Sequence, residues 1–216
     1  MTLMKRFLAE FLGTAGLLIV VVGSGIMGET LSNGNAAIAL LANSLATGAG
    51  LYALIQCFGT ISGAHFNPAV SFVEWLWKKL SLKEFCFYTV AQILGAIIGV
   101  FLTHAMFGQK IIQLSQHGRG DVHFLLSEVI ATFGLIVVIA LSGRKNVEAT
   151  PTAVALYITA AYWCTSSTSF ANPAVTIARS LTDTFSGIHW AGAPGFILAQ
   201  LLGAFAAYRI SNFFAQ

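Results

Sequence analysis

Charged residues are scarce in this chain of 216 residues, where they make up 9% of the sequence. A soluble domain carries about 25% charged side chains, so this chain has too few to cover a water-exposed surface. Its net charge of +3 is spread along the sequence and forms no basic patch that would bind a nucleic acid. Hydrophobic residues make up 56% of the chain, which indicates a protein embedded in a lipid bilayer.

Only three cysteines are present, Cys57, Cys86 and Cys164, and all lie in apolar runs. An odd number without CxxC spacing argues against a disulfide framework and against a metal site. We interpret them as small buried packing residues. The sequence also lacks paired catalytic carboxylates, a nucleophile elbow and an HExxH motif. We therefore expect neither an enzyme nor a bound metal or cofactor.

Long apolar segments dominate instead. A helix needs roughly 17–25 residues to cross the hydrocarbon core, and six segments are long enough: 5–27, 35–58, 84–106, 122–142, 150–168 and 194–213. The first is too long for a signal peptide and contains Glu10, so we expect it to be a retained span. Two shorter segments, 67–78 and 172–183, cannot span. The predicted fold class is an all-α membrane protein with six transmembrane helices and two re-entrant half-helices.

The tetrapeptide Asn-Pro-Ala-Val occurs twice and opens both short segments. Asn is a strong helix N-cap and Pro is favoured at the first helical position, so each copy predicts a helix start. Backbone N–H groups there are unpaired and carry roughly half a positive charge. Two such starts meeting at the midplane would repel cations, and the Asn amides could donate to a passing oxygen. The predicted pore motif is Asn67, Pro68, Ala69, Asn172, Pro173 and Ala174.

The two halves of the chain repeat the same polar residues in the same order. The pairs are Glu10 with Glu128, Asn67 with Asn172, and Gln92 with Gln200. Three spans per half is an odd number, so the second copy must be inverted across the membrane. We predict a single channel-like domain over 1–216, built from inverted repeats at about 1–107 and 121–216.

The paired glutamates lie inside predicted spans, where a charge is costly and usually faces the protein interior. One interpretation is a proton relay. The interpretation we prefer is that Glu10 and Glu128 support the irregular loops before each half-helix, because backbone groups in a membrane need hydrogen-bond partners.

Basic residues predict the orientation. With the N-terminus inside, two basic residues, Lys110 and Arg119, fall in outside loops. Eight fall on the cytoplasmic side: Lys5, Arg6, Lys78, Lys79, Lys83, Arg144, Lys145 and Arg209. This distribution follows the positive-inside tendency and places both termini in the cytoplasm.

Residues 62–71, with the sequence SGAHFNPAVS, are close to the first loop signature of the major intrinsic protein family, the aquaporins and glycerol facilitators. The second Asn-Pro-Ala motif and the paired Ala-Gln and Gly-Ala helices add independent matches. The chain resembles this family over nearly all of its length. The resemblance implies a homotetramer in the lipid bilayer, with one pore per protomer for water and small neutral solutes.

In the family, four positions narrow the pore on the outer side of the two Asn residues, and an Arg just after the second motif is the usual fourth. Here that position is Val175. Counting back from the motifs without gaps gives Thr47, Ala160 and Ser169 for the other three. All four are small, and Val cannot supply the donor fork of Arg. We expect a wide, arginine-less selectivity filter that passes uncharged solutes larger than water.

Two further residues stand beside the predicted pore. His65 borders the cytoplasmic part of the pore in the family, although a loop-anchoring hydrogen bond is an equal alternative. Arg179 lies four residues beyond Val175 on the same helix face. It either places a positive charge in the outer vestibule or pairs with Asp183, which lies four residues further on.

Residues 165–175, TSSTSFANPAV, resemble a bacterial subgroup associated with arsenic-resistance genes. The similarity implies an inner-membrane channel, with metalloid hydroxides, methylated arsenicals and glycerol as candidate solutes. An ion-coupled secondary transporter is the alternative, since inverted repeats and broken helices would serve it as well. A proton-coupled carrier, however, would need more charge within the membrane than two buried glutamates.

Overall fold

The computed structural model describes residues 1–145 and 147–214, and all regular structure in these ranges is helical. The side chain of Lys145, counted above as a cytoplasmic charge, lies outside the described residues. In chain order the α-helices are α1 Leu3–Leu31, α2 Ala36–Ser62, α3 Pro68–Leu76, α4 Leu82–Met106, α5 Val122–Lys145, α6 Thr150–Cys164, α7 Pro173–Arg179 and α8 Ala193–Phe213. Short 3-10 turns at Val147–Ala149 and Trp190–Gly192 precede α6 and α8.

The helices follow the predicted plan of six spans and two half-helices, although several of their bounds differ from the predicted ones. Within the described residues, five helices are long and apolar enough to cross a membrane: α1, α2, α4, α5 and α8 with its preceding turn. Helix α6 has 15 residues and ends at Cys164, short of the predicted end at 168. It ends early because the backbone becomes extended at Thr165 and turns back toward the start of α7.

The helix contacts have the pattern of an inverted repeat. Helix α1 packs against α2 and α4, and in the same way α5 packs against α6 and α8. Each half-helix also contacts the last span of the other half, α3 with α8 and α7 with α4. Two equivalent glycines allow the helix backbones to approach each other closely. A Cβ on Gly95 would lie 2.2 Å from the Phe11 carbonyl oxygen, and one on Gly203 would lie 2.3 Å from that of Val129.

The two half-helices end on opposite sides of the molecule. The indole of Trp77, just after α3, donates to Asn212 near the end of α8 at 2.8 Å. On the other side, the backbone N–H of Ser115, in the loop between α4 and α5, donates to the carbonyl of Ser180 after α7. We call the side that holds the described termini proximal and the side that holds the α4–α5 loop distal.

Burial differs from that of a soluble protein at both the interior and the surface. Polar side chains such as Glu10, Gln92 and Glu128 are fully buried, whereas many leucines on the outer helix faces are exposed. Cys57, Cys86 and Cys164 belong to the exposed set, so the prediction that they are buried packing residues is wrong. Cysteine is apolar enough to face lipid, and an apolar run in a membrane helix does not indicate which side of the helix is buried.

Candidate functional site

A cavity of about 250 Å³ lies between the helices, at the meeting point of the two half-helices. Spans and loops of both halves contribute to its wall. Residues that line it include Leu17, Val21, Thr47, His65, Asn67, Glu74, Thr150, Ile158, Tyr162, Ser169, Phe170, Asn172, Val175 and Arg179. Glu74 and Thr150 lie toward the proximal side, because they stand near the end of α3 and at the start of α6. Arg179 lies toward the distal side, at the end of α7.

At the centre, each Asn side chain donates a hydrogen bond to the loop that precedes the other half-helix. Asn67 Nδ2 donates to the Ala171 carbonyl at 2.7 Å, and Asn172 Nδ2 donates to the Phe66 carbonyl at 2.8 Å. Each Oδ1 caps its own half-helix, accepting from the N–H of Ala69 or Ala174. An amide group carries two N–H donors. One donor of each Asn therefore bonds to the opposite loop, and the other is left for the cavity that both residues line.

Glu10 holds the loop before α3. Its Oε1 accepts from the Ser62 hydroxyl at 2.6 Å and from the His65 N–H at 3.0 Å. Its Oε2 accepts from the Phe66 N–H and from Gln92 Nε2, both at 2.7 Å. Phe66 lies in the left-handed region, with a φ of 49°. The carboxylate therefore stabilises a backbone conformation that a non-glycine residue rarely adopts.

Glu128 repeats this arrangement before α7. Its carboxylate accepts from the Ser167 hydroxyl, the N–H groups of Phe170 and Ala171, and Gln200 Nε2, at 2.6–2.9 Å. A carboxylate has about four lone-pair sites, and each glutamate accepts four bonds from its loop and its glutamine. This geometry matches the loop-supporting interpretation and leaves no acceptor site for a proton relay.

Three of the four predicted filter residues line the cavity, namely Thr47, Ser169 and Val175. The assignment of Ala160 is wrong, because its side chain is exposed on the outer face of α6. Ile158 and Tyr162 face the cavity instead. A helix turns by about 100° per residue, so Ala160 points away from both. Tyr162 is 3% exposed, and its hydroxyl lies 3.2 Å from Thr47 Oγ1.

Arg179 also lines the cavity, so the passage is not free of arginine. The side chain is buried, with its guanidinium carbon 3.4 Å from the centre of the Phe170 ring, and its Nε donates to the Ser186 carbonyl. The alternative pairing with Asp183 does not occur. Asp183 accepts from the Gln116 N–H at 2.9 Å and lies 3.9 Å from the His117 ring.

His65 lies between the cavity and the start of α3. The ring lines the cavity, and its Nδ1 lies 3.0 Å from the hydroxyl of Ser71. The sequence places Arg119 in an outside loop and indicates no role for it. In the structure its guanidinium turns inward, where it donates to the carbonyls of Gly187 and Ser167 and lies 5.4 Å from the Phe170 ring. No motif signals this contact, because it depends on how the α4–α5 loop folds back.

Comparisons with known proteins agree with this architecture. The family described as Major intrinsic protein matches residues 1–148. Aquaglyceroporin AqpS of Rhizobium meliloti is 49% identical over 99% of this chain and 91% of its own length. Probable aquaporin AqpM of Archaeoglobus fulgidus is 31% identical over 100% of this chain and 99% of its own. The X-ray structure of the aquaglyceroporin from Plasmodium falciparum matches with a TM-score of 0.79 at 21% identity, covering 96% of this chain and 95% of that one.

Proposed function

Because the chain belongs to the major intrinsic protein family, we propose that its filter admits uncharged polyols larger than water. Members of this family are passive membrane channels for water and small solutes such as glycerol, and not enzymes. Candidate solutes are glycerol and the trivalent metalloid hydroxides, with methylated arsenicals as a further class. Arsenic trihydroxide is a neutral triol near neutral pH and so resembles glycerol in its hydrogen-bonding groups.

The observation that carries the proposal is Val175 in the cavity wall. A valine side chain is shorter than an arginine and brings no donor fork, so this position leaves more width than the usual family residue. Tyr162 is bulkier than the alanine expected on α6, but its ring packs into the wall and its hydroxyl bonds to Thr47. The proposed filter is accordingly Thr47, Tyr162, Ser169 and Val175.

The lining of this filter has a polar side and an apolar side. Hydroxyl groups come from Thr47, Tyr162 and Ser169, and the Ser169 hydroxyl is buried without a hydrogen-bond partner among the described residues. Apolar surface comes from Val21 and Val175. A polyol presents hydroxyls on one edge and C–H groups on the other, so it can keep hydrogen bonds while it is stripped of water.

Exclusion of cations is assigned to the centre of the passage. Helices α3 and α7 direct their N-termini at each other, and each carries roughly half a positive charge. Asn67 and Asn172 each keep one amide N–H for the lumen, which orients a central water with its hydrogens outward. Such a water cannot both accept and pass on a proton along a continuous chain.

The whole-protein assignments that go with this function are also proposals. They are a homotetramer with one pore per chain, residence in a bacterial inner membrane with both termini in the cytoplasm, and a single domain made of repeats at about 1–107 and 121–216. The likeness to an aquaglyceroporin from Rhizobium meliloti supports a bacterial plasma membrane and glycerol as one solute.

Stopped-flow light scattering on proteoliposomes tests the proposal with water, glycerol and arsenite as solutes. The unmodified chain should pass all three without a proton gradient. Val175→Arg should lower glycerol and arsenite flux at least about tenfold and water flux less, because a narrower filter raises the barrier for the larger solutes. Val175→Ile, which adds only a methylene, is the matched control and should change little.

An equal decrease of all three fluxes in Val175→Arg would contradict the filter assignment. Flux that saturates at low solute concentration, or that depends on a proton gradient, would favour the transporter alternative.

A further inference from the structure

Two arginines, the buried Arg179 and the half-buried Arg119, lie against one aromatic ring at the distal side of the passage. The guanidinium carbon of Arg179 lies 3.4 Å from the centre of the Phe170 ring, and that of Arg119 lies 5.4 Å from it. Arg119 comes from the α4–α5 loop and Arg179 from the last turn of α7. The loop between the helices therefore brings two positive charges together beside the cavity that Phe170 and Arg179 line.

Neither arginine has an acidic partner within the ranges 1–145 and 147–214 that the structure describes, where no carboxylate lies within 4.0 Å of either guanidinium. Their protein acceptors are neutral oxygens: the carbonyls of Gly187 and Ser167 and the hydroxyl of Thr168 for Arg119, and the Ser186 carbonyl for Arg179. The nearby carboxylate of Glu128 is occupied by its loop. Burying cations without a counter-charge is costly, which makes this region a favourable place for an anion.

Hydrogen-bond donors that could bind an anion have no protein acceptor in this described region. Only Nε of Arg179 has a hydrogen-bond partner among the described residues, so its two terminal nitrogens are unpaired there, and the residue lines the cavity. The hydroxyl of Ser169 is buried, lines the same cavity and also lacks a partner in this part of the chain. A guanidinium fork fits two oxygens of one planar or tetrahedral group, and a neighbouring hydroxyl can donate to a third.

We infer that the distal mouth of the passage contains a binding site for a small monovalent oxyanion, held by the fork of Arg179 and the hydroxyl of Ser169, with Arg119 as a second charge behind the Phe170 ring. Arg179 lies four residues beyond Val175 on α7, about 6 Å further along the helix axis. An anion bound there stands in the path of solutes that leave or enter the filter. Its occupancy slows solute flux, and this consequence rests on the proposed channel function.

Methanesulfonate is a suitable probe, because it is a small oxyanion that stays charged and does not cross lipid as a neutral acid. Calorimetric titration of the purified full-length chain in detergent should show one saturable site. In proteoliposomes, methanesulfonate should lower glycerol flux several-fold with the same concentration dependence. Dimethyl sulfone has nearly the same shape without the charge, and it should neither bind nor inhibit.

Three variants test the residues. Arg179→Gln should weaken methanesulfonate binding by at least about tenfold, because it removes the charged fork. Ser169→Ala should weaken binding a few-fold and leave folding intact, since its hydroxyl gives up no bond within the described protein. Arg209→Gln removes an exposed arginine of α8 and is the matched control, with unchanged binding.

The site is overturned if methanesulfonate shows no saturable binding to the unmodified chain, or if Ser169→Ala and a folded Arg179→Gln bind it as well as Arg209→Gln does. Equal inhibition by dimethyl sulfone also overturns it. If glycerol does not permeate at all, the proposed function fails, and the calorimetric titration alone decides whether the anion site exists.

Discussion

The side-chain amides of Asn67 and Asn172 each serve both the fold and the passage. The oxygen of each caps its half-helix, one N–H holds the loop of the opposite half, and the other is left for the lumen. This division explains why a shorter cap such as Ser would not be equivalent. Serine could satisfy the helix end, but it has a single donor and could not also reach the opposite loop and a solute.

Substitution of Tyr162 tests the proposed filter, which contains Tyr162, against the filter predicted from the sequence, which contains Ala160 at that position. Tyr162→Ala removes a ring from the cavity wall and the hydroxyl partner of Thr47. We expect it to raise the permeability of erythritol relative to glycerol on the order of fivefold, the effect of about 1 kcal/mol on a barrier. The measurement is solute flux in proteoliposomes, with folding checked by gel filtration.

The matched control is Ala160→Leu, which changes an exposed residue two positions away on the same helix. It should leave the ratio of the two permeabilities unchanged. A shift in that ratio for Ala160→Leu, with none for Tyr162→Ala, would instead support Ala160 as the filter residue of α6.

Counting from the motifs predicts Thr47, Ser169 and Val175 but not Tyr162, and the reason is physical. Ser169 and Val175 stand within a few residues of the second motif, so little can shift between them. Counting back to α6 crosses residues 165–171, which form an irregular loop without a fixed rise or turn per residue. A signal was available within α6, where Val154, Ile158 and Tyr162 recur every four residues and line one face.

At the scale of the elements, the half-helices depend on the carboxylates behind them. Each loop before a half-helix has backbone N–H groups that no helix or sheet satisfies, and in a membrane no bulk water can do so. Glu10 and Glu128 accept those N–H groups from a neighbouring span. The pairing of glutamates and motifs could be predicted because both repeat in order, whereas the loop conformations with positive φ could not.

Close helix approach through glycine gives a second prediction at this scale. A Cβ on Gly95 would lie 2.2 Å from the backbone oxygen of Phe11, so Gly95→Ala must push α4 away from α1. Overpacking of this kind costs about 1–3 kcal/mol. We expect a lower thermal midpoint in detergent, measured by intrinsic tryptophan fluorescence, together with reduced glycerol flux.

Gly59 provides the matched control for this substitution. It lies in α2, and nothing stands within 4 Å of where its Cβ would be. Gly59→Ala should leave stability unchanged or raise it by up to about 1 kcal/mol, because alanine loses less backbone freedom on entering a helix. If both variants melt together, the close packing of α1 and α4 does not limit stability.

For the whole molecule, topology is linked to charge. Lys83 begins α4 on the proximal side and Lys110 follows it on the distal side, so a single span separates two exposed lysines. Arg119, the other basic residue predicted for the outside loops, is hydrogen-bonded within the protein rather than free at the surface. Most of the basic residues thus lie on the side of the termini, and the positive-inside tendency predicts that this side faces the cytoplasm.

Cysteine labelling tests this orientation in a background where the three exposed native cysteines are replaced by alanine. A membrane-impermeant maleimide added to bacterial spheroplasts should label Lys110→Cys, and it should label Lys83→Cys only after permeabilisation. The reverse pattern would invert the orientation and leave the fold untouched. Labelling of both from the same side would show that α4 does not cross the membrane. The first half would then not have an odd number of crossings, and this odd number is what makes the two Asn-capped half-helices meet from opposite faces.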